Sequence, residues 1–440
     1  MRRAIALLLL ASTTACRRAT SAAAVDASPA RAAGREADGS VVGPPRCRPA
    51  DRPIVLDAAA LEELEIGGAA RDPGGGTVVA AAHRGASGRT AAVVLVGSDA
   101  SGAARVVDLG PTLGDAPLPR LFSCGSRLLA AAFDPSPAAG PSRSSPERSL
   151  ALWALQSPPR RAYAPIRQRR DESLAFDAAC SRGAAAETPV IVWDESVAAP
   201  GAAPRGVIRL AASGPNGLAW GPRDVSPSDS DADSPRILPA GPGFIVLWLA
   251  HRPDASIAAD AAGTGFETPG EIRTNGWVEM LAIDESGNAA GPVRRLTPTS
   301  GHVSVYDAAI RLDRPDTREG DLVVVALDDG EAADGAGGAL LRVHARGAVV
   351  DPPVALVTGD LGRGGPVLVE GAVSPWLTWV GSGEQLRLTA LDATGAPLAP
   401  PSGEDALDDA QPLLELAPGR MLVATPRDAE GKLRVFACER

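Results

Sequence analysis

The sequence predicts an all-β fold: a seven-bladed β-propeller of four-stranded antiparallel blades, whose ring is closed by an N-terminal strand. Three observations predict it. Short apolar runs recur along the chain, a segment of alternating polarity follows each of them after a polar loop, and a tight turn with Asp and Gly often comes next. A self-similar unit of about 40 to 60 residues that carries several strands is typical of a propeller blade.

The second strand of each blade is the clearest element. It is an apolar run such as PVIVWDE or FIVLWLA, and helical periodicity is hard to find beyond residue 60. The seven runs begin at Thr77, Arg127, Pro189, Phe244, Asp321, Trp376 and Arg420. Weaker apolar stretches in front of these runs predict the first, innermost strands, at 121–122, 237–238, 309–310, 367–369 and 413–414.

The third strand of a blade places an arginine between aliphatic residues, as a strand does when its two faces differ in environment. The arginines in this setting are Arg209, Arg342, Arg387 and Arg434. Turns of the form Asp-x-[Ser/Thr]-Gly occur at 99–102, 284–287 and 392–395, where Asp caps the backbone and Gly supplies a positive φ. A proline five residues after the glycine then predicts the outer strand, because proline is confined to sheet edges or strand ends.

The two ends of the chain are expected to meet in the last blade. Its final strands, RMLVATP and KLRVFACER, run to Arg440 without a fourth strand after them. The N-terminal segment PIVLDA at 53–58 can supply that strand, and pairing both chain ends in one blade removes an exposed edge.

Four cysteines follow Cys16, and an even number in an exported chain favours disulfides. Ring closure brings Cys47 near Cys438, which predicts a bridge between them. Cys124 and Cys180 occupy matching places on or just after the first strands of blades two and three, so we pair them as well. Two free, buried thiols are the alternative for this second pair.

The N-terminus predicts export and a lipid anchor. Residues 1–16 have a basic start, a short apolar run and small residues, as in a secretory signal, and the run is too short to span a membrane. Thr13-Thr14-Ala15-Cys16 resembles a bacterial lipobox, which implies lipidation of Cys16; cleavage after Ala15 without lipidation is the alternative. Residues 17–46 are rich in Ala, Pro and Ser and predict a flexible tether.

Composition limits the classes of partner. The net charge of -10 and a pI near 5.1 argue against nucleic acid, which requires clustered basic surface. The four histidines are scattered singly and there is no CxxC, so we expect neither a zinc site nor a cofactor. We expect contact with the membrane through the lipid anchor only, and a monomer.

Three groups of residues are candidates for binding sites. Trp193, Trp248 and Trp379 are interpreted as packing between blades rather than as a sugar-stacking ring. The third-strand arginines are interpreted as salt-bridged or as snorkelling stems, each near a different blade boundary, rather than as a converging anion site. Asp229, Asp231 and Asp233 begin like a calcium loop, but the sixth and twelfth positions of that loop are Ser234 and Ala240. We interpret PSDSDADSP as a solvated acidic loop and keep these three residues as a weak calcium candidate.

Residues 47–440 resemble the β-propeller domains of exported bacterial lipoproteins, through the repeated order of a Trp-containing run, a strand, an Asp-Gly turn and a proline. The resemblance implies architecture and a cell-envelope location, or secretion if Cys16 is not lipidated. It implies no chemistry, so the predicted function is a non-enzymatic, tethered scaffold that binds a protein or glycan. The alternatives are a hydrolase or lyase of an extracellular polymer, with acids at the channel mouth, and a calcium-dependent adhesin.

Overall fold

A computed structural model describes most of the chain from Cys47 to Cys438. The described residues are 47–50, 54–56, 64–85, 88–97, 103–114, 116–134, 148–156, 159–168, 175–181, 187–197, 205–214, 216–253, 274–311, 321–330, 338–347, 349–359, 361–362, 365–371, 374–381, 385–403, 411–424 and 433–438. The predicted signal, the predicted tether and the turn at 99–102 lie outside these residues.

The described strands form seven sheets, and five of these have four strands. The strands of blades one to three are β3 (Glu65–Arg71), β4 (Thr77–Gly85), β5 (Gly88–Val96) and β6 (Ala103–Pro111); β7 (Arg120–Cys124), β8 (Arg127–Asp134), β9 (Arg148–Ala154) and β10 (Arg160–Gln168); and β11 (Phe176–Cys180), β12 (Pro189–Val197), β13 (Arg205–Gly214) and β14 (Gly217–Asp224). A further strand, β2 (Val55–Leu56), pairs in parallel with β6 at the outside of blade one.

The later blades repeat this order from inside to outside. Blades four to six consist of β15 (Asp231–Ala240), β16 (Gly243–Pro253), β17 (Thr274–Ile283) and β18 (Arg294–Arg295); β19 (Val303–Arg311), β20 (Asp321–Asp328), β21 (Ala339–Arg346), β22 (Val349–Val350) and β23 (Val354–Thr358); and β24 (Val367–Val369), β25 (Trp376–Val380), β26 (Leu386–Ala390) and β27 (Ser402–Gly403). Blade seven consists of β28 (Gln411–Ala417), β29 (Arg420–Ala424), β30 (Leu433–Cys438) and β1 (Cys47–Pro49).

The seven first strands form a closed ring, because β3, β7, β11, β15, β19, β24 and β28 contact one another in that order and β28 contacts β3 again. The predicted seven-bladed β-propeller is therefore confirmed. No helix occurs among the described residues. These residues accordingly include no helix with the length and apolarity needed to cross a membrane.

An N-terminal strand completes the last blade, as predicted, but the segment is not 53–58. Cys47–Pro49 pairs antiparallel with β30, the Ala50 N–H donates to the Val435 carbonyl at 2.9 Å, and Ile54 bridges Leu433. Val55–Leu56 pairs instead with blade one. The apolar segment thus crosses from one blade to the next, while the less apolar CRP makes the closing strand.

Apolar side chains fill the spaces between neighbouring blades. Each boundary of the ring holds a buried cluster with members from both blades. The second strands read as continuous apolar runs because both of their faces are buried in this way. The prediction that Trp193, Trp248 and Trp379 pack between blades is confirmed, since they are buried in the clusters of three boundaries.

Both predicted disulfides are present. Cys47–Cys438 joins two paired strands of the closing blade, with 4.1 Å between the Cα atoms, and the bridge encloses 391 residues of sequence separation. Cys124–Cys180 joins the first strands of blades two and three, with a Cα–Cα distance of 5.1 Å. Disulfides persist in oxidising compartments, so the two bridges indicate an extracellular or envelope protein.

Candidate functional site

The innermost strands bring together a group of charged side chains around the axis of the ring. Arg120 begins β7, and Asp177, Arg236 and Asp307 lie on β11, β15 and β19. These four strands belong to successive blades, so basic and acidic residues alternate from blade two to blade five. Together with Tyr306, which precedes Asp307 on β19, these residues are called the channel cluster.

Asp177 links three innermost strands. Its Oδ1 accepts hydrogen bonds from Arg120 Nε on β7 at 2.9 Å and from the N–H of Ala178 on its own strand at 2.9 Å. Its Oδ2 accepts from the N–H of Ile237 on β15 at 3.0 Å and lies 3.8 Å from Arg236 Nε. The carboxylate is almost fully buried, with 8% of its side chain exposed. The carboxylate is therefore held by donors from its own strand and from the first strands on both sides.

Asp307 repeats this arrangement two blades further on. Its Oδ1 accepts from Arg236 Nη2 at 2.6 Å and from the N–H of Ala308 at 2.8 Å. Its Oδ2 accepts from the N–H of Leu368 on β24 at 2.8 Å. Arg236 thus bridges two acids, and polar contacts between first strands run without a break from blade two to blade six.

Burial changes the titration of the cluster. It raises the pKa of Asp307 to about 6, although the N–H groups of Leu368 and Ala308 and the charge of Arg120 act in the lowering direction. Burial, followed by the charges of Asp177 and Asp307, raises the pKa of Tyr306 well above its usual value. The Tyr306 hydroxyl donates to the carbonyl of Ser234 at 2.8 Å. Tyr306 is therefore neutral at physiological pH and held by one partner.

Arg120 reaches across the ring. Burial alone would lower its pKa, but the charge of Asp177 and the hydrogen bond to it outweigh burial, so the pKa is raised. The charge of Asp307 also acts on Arg120 in the same direction, although Asp307 is on a strand three blades away. A third of the Arg120 side chain is exposed. These facts place its guanidinium inside the space that the first strands enclose.

The channel cluster was not predicted, although two repeated sequence patterns mark its residues. Pro-Arg followed by an aliphatic residue occurs at 119–121 and at 235–237, and an aromatic residue followed by Asp-Ala-Ala occurs at 176–179 and at 306–309. The two patterns alternate through four consecutive blades. Comparing blade units residue by residue at the first strand would have found them.

The calcium candidates have separate partners, and Asp233 lies next to Ser234, whose carbonyl accepts the Tyr306 hydroxyl of the channel cluster. Asp229 Oδ2 accepts from Arg252 Nη2 at 3.0 Å, Asp231 accepts from the N–H of Gly206, and Asp233 Oδ2 lies 3.0 Å from His251 Nε2. The prediction of a solvated loop is wrong from Asp231 onward. This residue begins β15, because the segment pairs with β16 as a strand. Calcium binding remains a prediction. In the described part of the chain, no three His, Cys, Asp or Glu side chains are grouped to hold a metal ion.

Two of the third-strand arginines, Arg209 and Arg342, bind partners outside the channel cluster. Arg209 forms ion pairs with Glu195 at 2.7 Å and Asp224 at 2.8 Å in its own blade. Arg342 donates to the carbonyl of Thr394 in the next blade at 2.9 Å. Cys16, the predicted lipidation site, lies outside the described residues.

Similar solved structures share only the propeller type of fold. A neuraminidase-like protein of the isolate A/flat-faced bat/Peru is 9% identical, with a TM-score of 0.38, and the match covers 89% of this chain and 97% of that one. An ulvan lyase is 11% identical, with a TM-score of 0.47, and the match covers 87% and 97%. A protein of unknown function from Dyadobacter fermentans is 13% identical, with a TM-score of 0.42 and coverage of 89% and 98%.

No family model and no curated protein matches the sequence. At such low identity and similarity the structural matches support no conclusion about chemistry. The chemistry available to the site depends on the donors and acceptors of the channel cluster. Its two carboxylates accept hydrogen bonds on both oxygens, whereas its guanidinium groups keep N–H donors that no described residue accepts.

Proposed function

We propose that the protein is an exported β-propeller, tethered to the cell envelope through Cys16, that binds a protein or glycan at the mouth of its channel. The observation that carries this proposal is the binding of Asp177 and Asp307 to donors of the protein itself, since each carboxylate accepts three hydrogen bonds. A general base or nucleophile needs a lone pair directed at the substrate. Both acids direct most of their roughly four lone pairs at protein donors, so the cluster supports recognition better than catalysis.

The tether has support from two sides. The disulfides indicate an oxidising compartment, which requires export. Cys16 follows a signal-like segment and precedes residues 17–46, whose composition suits a spacer between membrane and domain. Lipobox modification attaches more than one acyl chain, as stable anchoring requires.

The anchor is tested by producing the full chain in a bacterium fed with an alkyne-bearing fatty acid. The wild type should incorporate the label and partition into detergent. The C16S variant should do neither. An unlabelled wild type that is released after cleavage would establish the secreted alternative and leave the propeller assignment untouched.

Binding and catalysis are separated with a panel of acidic and neutral polysaccharides. Native gels cast with each polymer report binding as retardation, while reducing-end and 235 nm absorbance assays report hydrolysis and elimination. We expect retardation by at least one polymer without any product. Product that appears with the wild type and disappears with D307N would overturn the binding proposal.

The alternative of a hydrolase or lyase is favoured by one observation. Asp307 has a pKa of about 6 and follows Tyr306 in the same channel, and an acid that titrates near the working pH is suited to proton transfer. The same turnover assay decides between the alternatives, because a bell-shaped pH profile lost in D307N is expected only of the enzyme.

A further inference from the structure

The guanidinium groups of the channel cluster have more donors than the protein uses. Arg120 has five N–H donors, and among the described residues only its Nε has a partner, Asp177. Arg236 donates through Nη2 to Asp307, while its buried Nε has no hydrogen-bond partner in the described part of the chain. Buried donors of this kind are normally satisfied by protein, water or ligand.

The two arginines lie beside the same carboxylate. Arg120 Nε is 2.9 Å and Arg236 Nε is 3.8 Å from the two oxygens of Asp177. Asp177 is itself held by the backbone N–H groups of Ala178 and Ile237. It can therefore orient both guanidinium groups. Their remaining donors are left for a group that enters the channel, and the side chains are one third and one quarter exposed.

We propose that Arg120 and Arg236 form a subsite for an oxyanion, a carboxylate or sulfate group of the ligand. This inference rests on the proposed binding function and specifies the ligand's chemistry. A planar carboxylate or a sulfate matches the forked donors of arginine and forms charge-assisted hydrogen bonds with them. Within the residues that the structure describes, Asp177 and Asp307 each accept from only one arginine nitrogen, so they leave further N–H donors for an incoming anion, and their own charges are balanced one to one by the two arginines.

The acidic surface of the whole chain makes this local arrangement selective. With a net charge of -10, the protein repels anions in general, so only an anion that meets the fixed donors gains from entering. Neutral sugars lack the charge that the subsite requires. A ligand rich in uronate or sulfate groups is therefore the class expected.

The test is isothermal titration of the exported wild-type protein with sodium glucuronate and sodium sulfate, with glucose as the neutral probe and sodium chloride setting a constant ionic strength. Saturable binding of at least one of the two anions, and none of glucose, is expected. R120Q should weaken that binding by about tenfold or more, in line with a lost charge-assisted pair. R120K keeps the charge without the fork and should give an intermediate affinity.

The matched control is R223Q, because Arg223 lies on the outer strand β14, where it stacks on Trp220, and it donates to Asn288 Oδ1 in a turn of blade four. It should bind the anion as the wild type does. The proposal is overturned if the wild type binds neither anion, or if folded R120K and R120Q bind it with wild-type affinity. Polymer retardation that persists in R120Q would then leave the binding function standing with its site elsewhere.

Discussion

At the scale of single residues, Asp177 and Asp307 show how one side chain holds neighbouring blades together. Each accepts the N–H of the next residue on its own strand and an N–H from the adjacent first strand. Among the described residues, first strands of different blades share no β-ladder, so N–H groups such as those of Ile237 and Leu368 need other acceptors. A carboxylate at this position supplies one and adds an arginine partner.

We expect D177A to destabilise the protein by about 3–5 kcal/mol, because it leaves the Ile237 N–H and Arg120 without an acceptor in a buried setting. The control is D229A. Asp229 also pairs with an arginine, Arg252, but its side chain is 65% exposed, and such pairs contribute at most about 1 kcal/mol. Urea unfolding measures both. Equal losses would contradict the structural role given to Asp177.

Asp307 should make stability depend on pH. Its pKa of about 6 exceeds the unfolded value of 3.8, so the folded state takes up a proton. The stabilisation of the folded state by this proton uptake is complete below pH 3.8 and is lost as the pH rises through 6. The free energy of unfolding changes by roughly 3 kcal/mol at most. Urea unfolding from pH 4 to pH 7 should show this loss in the wild type relative to D307N. D229N should follow the wild type, and a D307N profile parallel to the wild type would refute the assignment.

At this scale the sequence predicted the residues whose role depends on their own chemistry. The buried tryptophans and the cysteine pairs are of this kind. Arg120, Asp177 and Asp307 have a role only because their strands stand side by side around an axis. Their local patterns, Pro-Arg before an aliphatic residue and Asp-Ala-Ala after an aromatic one, gain meaning only when the first strands of successive blades are compared.

At the scale of strands and turns, the second strands were predicted best and the outermost strands worst. The start of β4, β8, β12, β20, β25 and β29 is the predicted residue in every case. These strands are buried on both faces, which forces a continuous apolar run. Outer strands such as β18 and β27 are two residues long, and no burial pattern marks them. The closing strand Cys47–Pro49 was misplaced for the same reason.

The Asp-Gly turns carry packing as well as chain reversal. Gly395 has a φ of +79°, and a Cβ there would lie 2.6 Å from Val323 Cγ1 in the neighbouring blade. We therefore expect G395A to destabilise by about 2–4 kcal/mol, from the left-handed backbone and from overpacking together. Thermal and urea unfolding measure the change.

Gly75 provides the comparison for that variant. Its φ is +94°, but a Cβ there would meet no atom within 4 Å. G75A should therefore cost only the backbone term, about 1–2 kcal/mol. If the two alanine variants lose the same stability, the turn at Gly395 does not support the blade boundary.

At the scale of the whole molecule, the seven first strands form a closed ring. We expect the stability of the protein to depend on that closure. Blade seven combines the first and last described strands of the chain, and the Cys47–Cys438 bridge fastens them. The ring and its closure could be predicted because a repeat count leaves one blade a strand short. The channel cluster was not predicted, because its members come from four blades and are recognised only when the first strands of those blades are aligned with one another.

We therefore expect the loss of the Cys47–Cys438 bridge to lower the free energy of unfolding more than the loss of the Cys124–Cys180 bridge does. A disulfide restricts the unfolded chain in proportion to the logarithm of the loop it closes. The separations of 391 and 56 residues correspond to about 6 and about 4 kcal/mol. We expect the double variant C47S/C438S to lose more unfolding free energy than C124S/C180S, measured in urea without reductant. The C47S/C438S variant should also unfold first around β1 and β30, seen as faster amide exchange there than in blades three and four. Uniform exchange, or a larger loss in C124S/C180S, would mean that apolar packing at the blade boundaries holds the ring shut without help from the chain ends.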